Sequence, residues 1–493
     1  MSDVDRHTGI RRRLKIWSGR PAATEGRRSG SQRPRFIWPF VLPVAAFALA
    51  IVIGALLLWC DFTHNSAGSV SFIDALFIAT SCVCVTGLST IDTATVFNQQ
   101  GQAVMMALMQ LGGLGITTYS SLFLYLFTRR VFLSDRLAVG QALLHDQSFH
   151  LGHFLVRIVV VITAIELTGL IALHLLEPER IGLFDAAYLA ISSFCNAGFA
   201  PWSDNLMSFR QDTGVNVVVM LLIILGGLGF AVIDDLRALG LFAVQQFWDR
   251  LKGRKSARPR PTLSLAARLA LSTSAALILV GALCFFLAEY FVNSEDYFEP
   301  AKVVLPSFFQ SVTCRTAGFN TVNIGRLTDL TLLVMIGLMF IGGSAGSCAG
   351  GFKTGSFRIV LGFVRSVIRG RSQVVVAGRA VSREDISKVF SLLIFSLLTI
   401  IIAVLILTLT EGGVKVHGQT PFQVLDIVFE VISALATVGL TTGLTPELSD
   451  PGKLVVSALM YIGRLGPIWL ITVLQKFSED IRYRVPEAVI PIG

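Results

Sequence analysis

The chain has 493 residues, of which 53% are hydrophobic and only 15% charged, with a mean hydropathy of +0.69. Water cannot solvate such a surface, which excludes a soluble enzyme or binding module and implies a polytopic membrane protein. The net charge of +9 reports topology: with connections assigned to alternate sides of the membrane, most Lys and Arg fall on the side that holds the N-terminus, so the positive-inside rule predicts that both termini are cytoplasmic.

In chain order, residues 1–36 form a basic cytoplasmic tail rich in Arg, Gly and Ser. The tail is expected to be disordered and to touch anionic membrane lipid rather than nucleic acid. Long apolar runs follow at 37–60, 103–128, 154–176, 214–234, 265–291, 330–350, 388–410 and 453–474. They predict eight spans and an all-α fold, since about 20 apolar residues cross roughly 30 Å of hydrocarbon. The first run has no cleavage signature and reads as a retained helix. His145, His150 and His153 cluster in a connection, but no complementary Cys or carboxylate accompanies them, so a metal site there is disfavoured. Cys60, Cys82, Cys84, Cys195, Cys284, Cys314 and Cys348 form no C-x-x-C pair and read as packed thiols. Residues 478–493 form the cytoplasmic C-terminus.

The chain repeats itself four times. VTGLS (85–89), NAGFA (196–200), TAGFN (316–320) and TVGLT (437–441) carry Gly87, Gly198, Gly318 and Gly439 at near-even spacing, the mark of internal repetition. Ten residues before each glycine stands an aromatic: Phe77, Tyr188, Phe308 and Phe429. Thirteen before it are Asp74, Asp185 and Asp426, with Leu305 in the third repeat; the aspartates suit helix N-caps. The residues between predict a short re-entrant helix whose negative dipole end points at the glycine. Beyond each glycine a second signature recurs: LGGLG (111–115), LGGLG (225–229), IGGSAG (341–346) and IGRLG (462–466). The repeats are 37–130, 150–236, 262–368 and 385–477, each a membrane helix, a pore loop and a second membrane helix, and four of them can surround one pore.

Irregular backbone at membrane depth is tolerated where it is buried in protein or lines an aqueous cavity. A ring of carbonyls from Val85, Thr86, Gly87, Asn196, Ala197, Gly198, Thr316, Ala317, Gly318, Thr437, Val438 and Gly439 would replace the hydration shell of a monovalent cation. Glycine reaches the required dihedrals without a Cβ penalty. The turns carry no ring of Asp or Glu such as a divalent site uses. In the second signature Gly113, Gly227 and Gly343 align with Arg464, which therefore faces a polar cavity as a gating element or, alternatively, pairs with a neighbouring acid. The run GGSAGSCAGGFKTG (342–355) is too rich in small residues to continue as a helix and should break the third repeat's second span. Gly342, Gly343, Ser344, Gly346, Gly350, Gly351 and Lys353 then form a gating loop. Phe352 between Gly351 and Lys353 breaks the phosphate-binding P-loop pattern that this run superficially resembles.

These motifs, together with SALATVGLTTGLTP (433–446), closely resemble the Trk/Ktr/HKT superfamily of K⁺ transporters, and most closely its eight-span Ktr-type membrane subunit, over residues 37 to 477. The resemblance implies a homodimer with one pore per protomer, and a cytoplasmic ring of KtrA/TrkA-like regulatory subunits that bind nucleotide. It implies no cofactor in this chain, K⁺ as the transported ion and Na⁺ as a candidate activator. It also implies that Gly87 favours K⁺, that the 342–354 loop is an intramembrane gate, that Arg464 faces the pore, and that Arg315 supports the third pore loop. Gly343, Ser344 and Ala345 stand where the family would have a more polar or proline-containing loop. The function expected is K⁺ uptake across the plasma membrane through a gated, channel-like pore. The alternatives are a Na⁺ or mixed-cation transporter on the same scaffold, a receptor or scaffold without flux, and a membrane-embedded enzyme, for which no paired catalytic groups are found.

Overall fold

The computed structural model describes residues 38–66, 70–115, 151–253, 261–292, 300–412 and 423–466. The N-terminal tail, the histidine side chains of the 145–153 connection and the C-terminal segment 478–493 lie outside it, as do the distal parts of the expected spans 103–128 and 453–474. The chain divides at Trp38, and the architecture is that of the unit from Pro39 onward.

Each of four consecutive segments contains a first helix, a short helix, a turn and a third helix. The first segment holds α1 (Trp38–Trp59), α2 (Phe72–Cys84) and α3 (Gln99–Gly113). The second holds α4 (Leu151–Leu176), α5 (Leu183–Cys195) and α6 (Thr213–Leu228), continued by α7 (Phe230–Leu251). The third holds α8 (Leu265–Val292), α9 (Pro300–Thr313) and α10 (Asp329–Phe340), continued by α11 (Thr354–Ile368). The fourth holds α12 (Arg383–Gly412), α13 (Val424–Leu435) and α14 (Asp450–Leu465).

Among the described residues three helices are long and apolar enough to cross a membrane: Val156–Leu176, Leu265–Phe291 and Arg383–Glu411. No more than a third of each is buried, and apolar side chains such as Leu279, Val280, Ile401 and Ile402 stay exposed, as lipid-facing residues must. The expectation of continuous spans outside the third repeat is corrected at one place, and the break expected within the third repeat is found. The run 214–234 bends by 112° between α6 and α7, at Gly229, whose φ of +94° no helix accommodates. The run 330–350 stops at Phe340. The glycine break expected of the third repeat is thus not confined to it: Gly115, Gly229, Gly346 and Gly466 all have positive φ.

The third helices share a start. Asn98, Asp212, Thr328 and Ser449 each cap one, accepting hydrogen bonds from Gln100, Val215, Thr331 and Gly452 amides respectively. Such caps satisfy amides that otherwise have no helical partner. In the last two segments the first helix holds the cap as well: Glu289 accepts from the Thr328 and Thr331 hydroxyls (3.3 and 2.5 Å), and Glu411 from the Ser449 hydroxyl (2.6 Å).

The order of packing closes into a ring. Helix α3 lies against α5, α6 against α9, α10 against α13, and α14 against α2, so each third helix touches the short helix of the next segment and the fourth returns to the first. The closure carries an ion pair, Lys453 Nζ to Asp74 Oδ1 at 2.8 Å. The fold is helical apart from one short hairpin, in which Val375–Val376 pairs with Arg379–Ala380 between α11 and α12. Ala377 and Gly378 turn it with positive φ, as a two-residue hairpin loop requires.

Candidate functional site

The short helices end alike. The residue two before each repeat glycine is left-handed, namely Val85 (φ 55°), Asn196 (60°), Thr316 (69°) and Thr437 (51°). The glycines are left-handed too: Gly87 (100°), Gly198 (76°), Gly318 (82°) and Gly439 (96°). Such φ values are costly for β-branched residues, so the surrounding structure must hold them. Thr86, Ala197 and Val438 amides donate to Ser81, Ser192 and Ser433 carbonyls at 2.8 Å. Gly87 and Gly439 amides donate to the Ser81 and Ser433 hydroxyls at 3.0 and 3.1 Å.

The third turn is one residue shorter: Ala317 N reaches back four residues to Thr313 O (2.9 Å) rather than five. This corrects the aromatic register. Phe77, Tyr188 and Phe429 are buried, but Phe308 is 39% exposed and Phe309 is buried in its stead. The aspartates are corrected as well. Ser71, Gly182 and Gln423 occupy the N-cap positions, and Asp74, Asp185 and Asp426 sit three residues further in, where Asp426 closes a capping box.

The four turns meet. A Cβ on Gly87 would lie 2.7 Å from Ala197 O, one on Gly198 2.8 Å from Ala317 O, and one on Gly318 2.5 Å from Val438 O, while one on Gly439 would strike Thr86 O. Each glycine therefore admits the carbonyl of the next turn, and the cycle closes from fourth to first. All four glycines line one cavity of about 540 Å³ that opens away from the helix ends and is bordered by Thr90, Asp92, Asn205, Asn320 and Thr441. The hydroxyls of Thr86 and Thr437 are buried without a hydrogen-bond partner. Carbonyl oxygens and the negative ends of four helices form an oxygen-rich site at the turns, which suits a monovalent cation. Arg315 is buried beside the third turn.

On the other side of the turns lies the glycine-rich segment. Gly350 N donates to Thr316 Oγ1 (3.2 Å), and a Cβ on Gly350 would meet Thr437 Oγ1 and Ala436 O, so the segment presses directly on the third and fourth turns. Ser344 and Cys348 amides donate to Gly227 O (3.0 Å) and Gly226 O (3.1 Å), and Gly346 O accepts from Phe230 N (3.0 Å), where α6 breaks into α7. Gly343 N donates to Gly350 O (3.3 Å), and Gly343 O accepts from Thr354 N (3.1 Å). Gly342 and Gly351 touch backbone to backbone. Lys353 Nζ donates to Ala349 O at 2.6 Å. Arg464 donates to Cys348 O and to Gly112 O, fastening the segment to α3, and among the described residues it pairs with no carboxylate.

The structure thus brings together the four glycine turns, the glycine-rich segment against the third and fourth of them, and Arg464 against that segment. Sequence reasoning missed the serines that hold the turns, although Ser81, Ser192 and Ser433 recur six residues before their glycines. It also missed that Gly112, Gly226 and Gly227, all within the second signature, act as backbone acceptors. All seven cysteines are free thiols.

A closed ring of backbone carbonyls inside a shell of apolar helices defines a membrane protein that handles cations. The chain belongs to the TrkH family of cation transport proteins, which matches residues 22–481; these are transporters rather than enzymes. It is 36% identical over 466 residues to the Ktr system potassium uptake protein B of Bacillus subtilis, covering 93% of this chain and 97% of that protein. It is 34% identical over 461 residues to the potassium/sodium uptake protein NtpJ of Enterococcus hirae, covering 92% and 97%. The crystal structure of the potassium transporter TrkH from Vibrio parahaemolyticus has the same fold, with a TM-score of 0.68 over 92% of this chain and 87% of that one at 18% identity.

Proposed function

We propose that this chain is the conducting membrane subunit of a Ktr-type K⁺ uptake system. The observation that carries the reading is the closed cycle in which each of Gly87, Gly198, Gly318 and Gly439 admits the carbonyl of the neighbouring turn at the floor of one cavity. In this reading the short helices are re-entrant pore helices and the paired longer helices make eight spans, with both termini in the cytoplasm of a plasma membrane. The turns select K⁺ by substituting carbonyl oxygens for its hydration shell. The 342–353 segment and Arg464 gate the pore from below, the first as a plug and the second as its fastening. Two protomers form a dimer on a cytoplasmic ring of nucleotide-binding regulatory subunits. Inside-negative potential drives uptake, contributing about 2.3 kcal/mol per charge per 100 mV.

A second reading, Na⁺ or mixed-cation transport with Na⁺ as substrate or activator, is favoured by one observation: the Enterococcus hirae relative is a potassium/sodium uptake protein. Proteoliposomes under an imposed potential separate the two. K⁺ flux well above Na⁺ flux supports the first reading, and equal fluxes support the second. If neither ion moves even with the gating segment deleted, the transport reading fails.

A further inference from the structure

Two of the four short helices carry a polar side chain at an interior position that the other two fill with hydrocarbon. Counting back three residues from the carbonyl that receives the turn's amide reaches Glu430 in α13, from Ser433, and Gln310 in α9, from Thr313. The same step from Ser81 and Ser192 reaches Ile78 and Leu189. All four side chains are completely buried. The one-residue shortening of the third turn hides this equivalence in the sequence, where Glu430 stands nine residues before its glycine and Gln310 eight.

Both polar side chains reach the segment that follows their turn. Glu430 Oε1 accepts from the hydroxyl of Thr445, six residues past Gly439. Gln310 Nε2 donates to Thr321 Oγ1 (3.4 Å), three residues past Gly318. Each keeps one buried oxygen with no partner within 3.5 Å, Glu430 Oε2 and Gln310 Oε1, although the Thr441 side chain also stands beside Glu430. Burying an unsatisfied polar oxygen is costly, and Ile78 and Leu189 occupy the matching positions without that cost, so space filling does not account for the two polar residues. The third and fourth turns are also neighbours in the ring, with Gly318 against Val438 O. The braces therefore flank a single seam.

We propose that Glu430 and Gln310 are positioning residues for ion selection, bracing from behind the segments that follow the third and fourth turns and so fixing the carbonyls at the Gly318–Val438 seam. The proposal rests on the carbonyl-filter reading given above. Neither side chain touches the ion. Each acts through a threonine on the far side of its turn, and loss of the brace lets the ring relax enough to accept the smaller Na⁺ with its water.

The test measures K⁺ and Na⁺ uptake into proteoliposomes for the full chain, Glu430→Gln, Glu430→Leu, Gln310→Leu and Gly439→Ser, with thermal unfolding of each in detergent. Glu430→Gln retains a partner for Thr445 and should keep the K⁺/Na⁺ flux ratio within about twofold of the unsubstituted chain. Glu430→Leu should lower it about tenfold, as expected for one lost buried hydrogen bond, and raise the KM for K⁺ more than it changes the maximal rate. Gln310→Leu should act in the same direction. An unchanged ratio in folded Glu430→Leu, beside a lowered one in Gly439→Ser, overturns the brace and leaves the filter standing. An unchanged ratio in Gly439→Ser overturns the filter reading and the brace with it. If Glu430→Leu does not fold, Thr445→Val removes the same bond from the other side, and an unchanged ratio there is equally fatal to the proposal.

Discussion

Replacing Arg464 by alanine should release the segment beneath the carbonyl ring. The guanidinium donates to Cys348 O in that segment and to Gly112 O at the end of α3, and hydrogen bonds from a charged donor are worth about 1.5–3 kcal/mol each. Only the bond to Cys348 distinguishes a seated from a withdrawn segment, so the closed arrangement should lose about 2 kcal/mol, a shift of roughly thirtyfold in the closed-to-open ratio. Removal of a positive charge from the proposed cation path acts in the same direction. Arg464→Lys separates the two effects, because an ammonium keeps the charge but cannot span both carbonyls with a planar fork. The assay is K⁺ uptake into proteoliposomes under an inside-negative potential, normalised to reconstituted protein. Uptake should rise strongly in Arg464→Ala and by less in Arg464→Lys. Uptake equal to or below that of the unsubstituted chain, in Arg464→Ala protein with unaltered elution and unfolding temperature, would refute the fastening role.

Gly350→Ala should raise basal K⁺ leak, since its Cβ would fall on Thr437 Oγ1 and 2.5 Å from Ala436 O and push the segment away from the fourth turn; flux in proteoliposomes reads this directly. Gly229→Ala should lower the unfolding temperature and loosen the closed state together. Its φ of +94° costs about 1–2 kcal/mol for a residue with a Cβ, and that Cβ would sit 2.7 Å from Ala345 O. Lys453→Met should destabilise the protein by about 1–3 kcal/mol, because it leaves Asp74, which is only 13% exposed, with the Ser71 and Thr90 hydroxyls but no cation where α14 meets α2. A thermal double-mutant cycle with Asp74→Asn should then show that the two losses are not additive.

The periodicity of the chain made the site legible. The four glycines and the second signature need only self-similarity, and the four glycines meet in the fold. The short helices were legible as well, being 13, 13, 14 and 12 residues long and far from spanning length. One misplaced aromatic and one hidden equivalence have the same physical cause. Counting residues back from Gly318 assumes equal turns, but the third turn closes on Thr313 four residues back, which moved Phe309 into the place assigned to Phe308 and concealed Gln310 as the counterpart of Glu430. The breaks at Gly115, Gly229 and Gly466 were underread because a single glycine is tolerated within many apolar helices, and only the glycine-dense third repeat announced itself. A further signal was present but unused. Asn98, Asp212, Thr328 and Ser449 each stand fifteen residues before Gly113, Gly227, Gly343 and Arg464, and all four are helix caps. The two-residue hairpin at 375–380 lies outside the repeats, where periodicity says nothing.

The central claim is that four glycine turns select a cation through their carbonyls, and Gly439→Ser tests it most directly. At φ +96° the serine Cβ would strike Thr86 O and lie 2.9 Å from Gly87 Cα, displacing a ring carbonyl while leaving the shell of helices untouched. K⁺ and Na⁺ uptake measured side by side should show the K⁺/Na⁺ ratio falling by at least about tenfold. An unchanged ratio in folded Gly439→Ser protein would contradict the account.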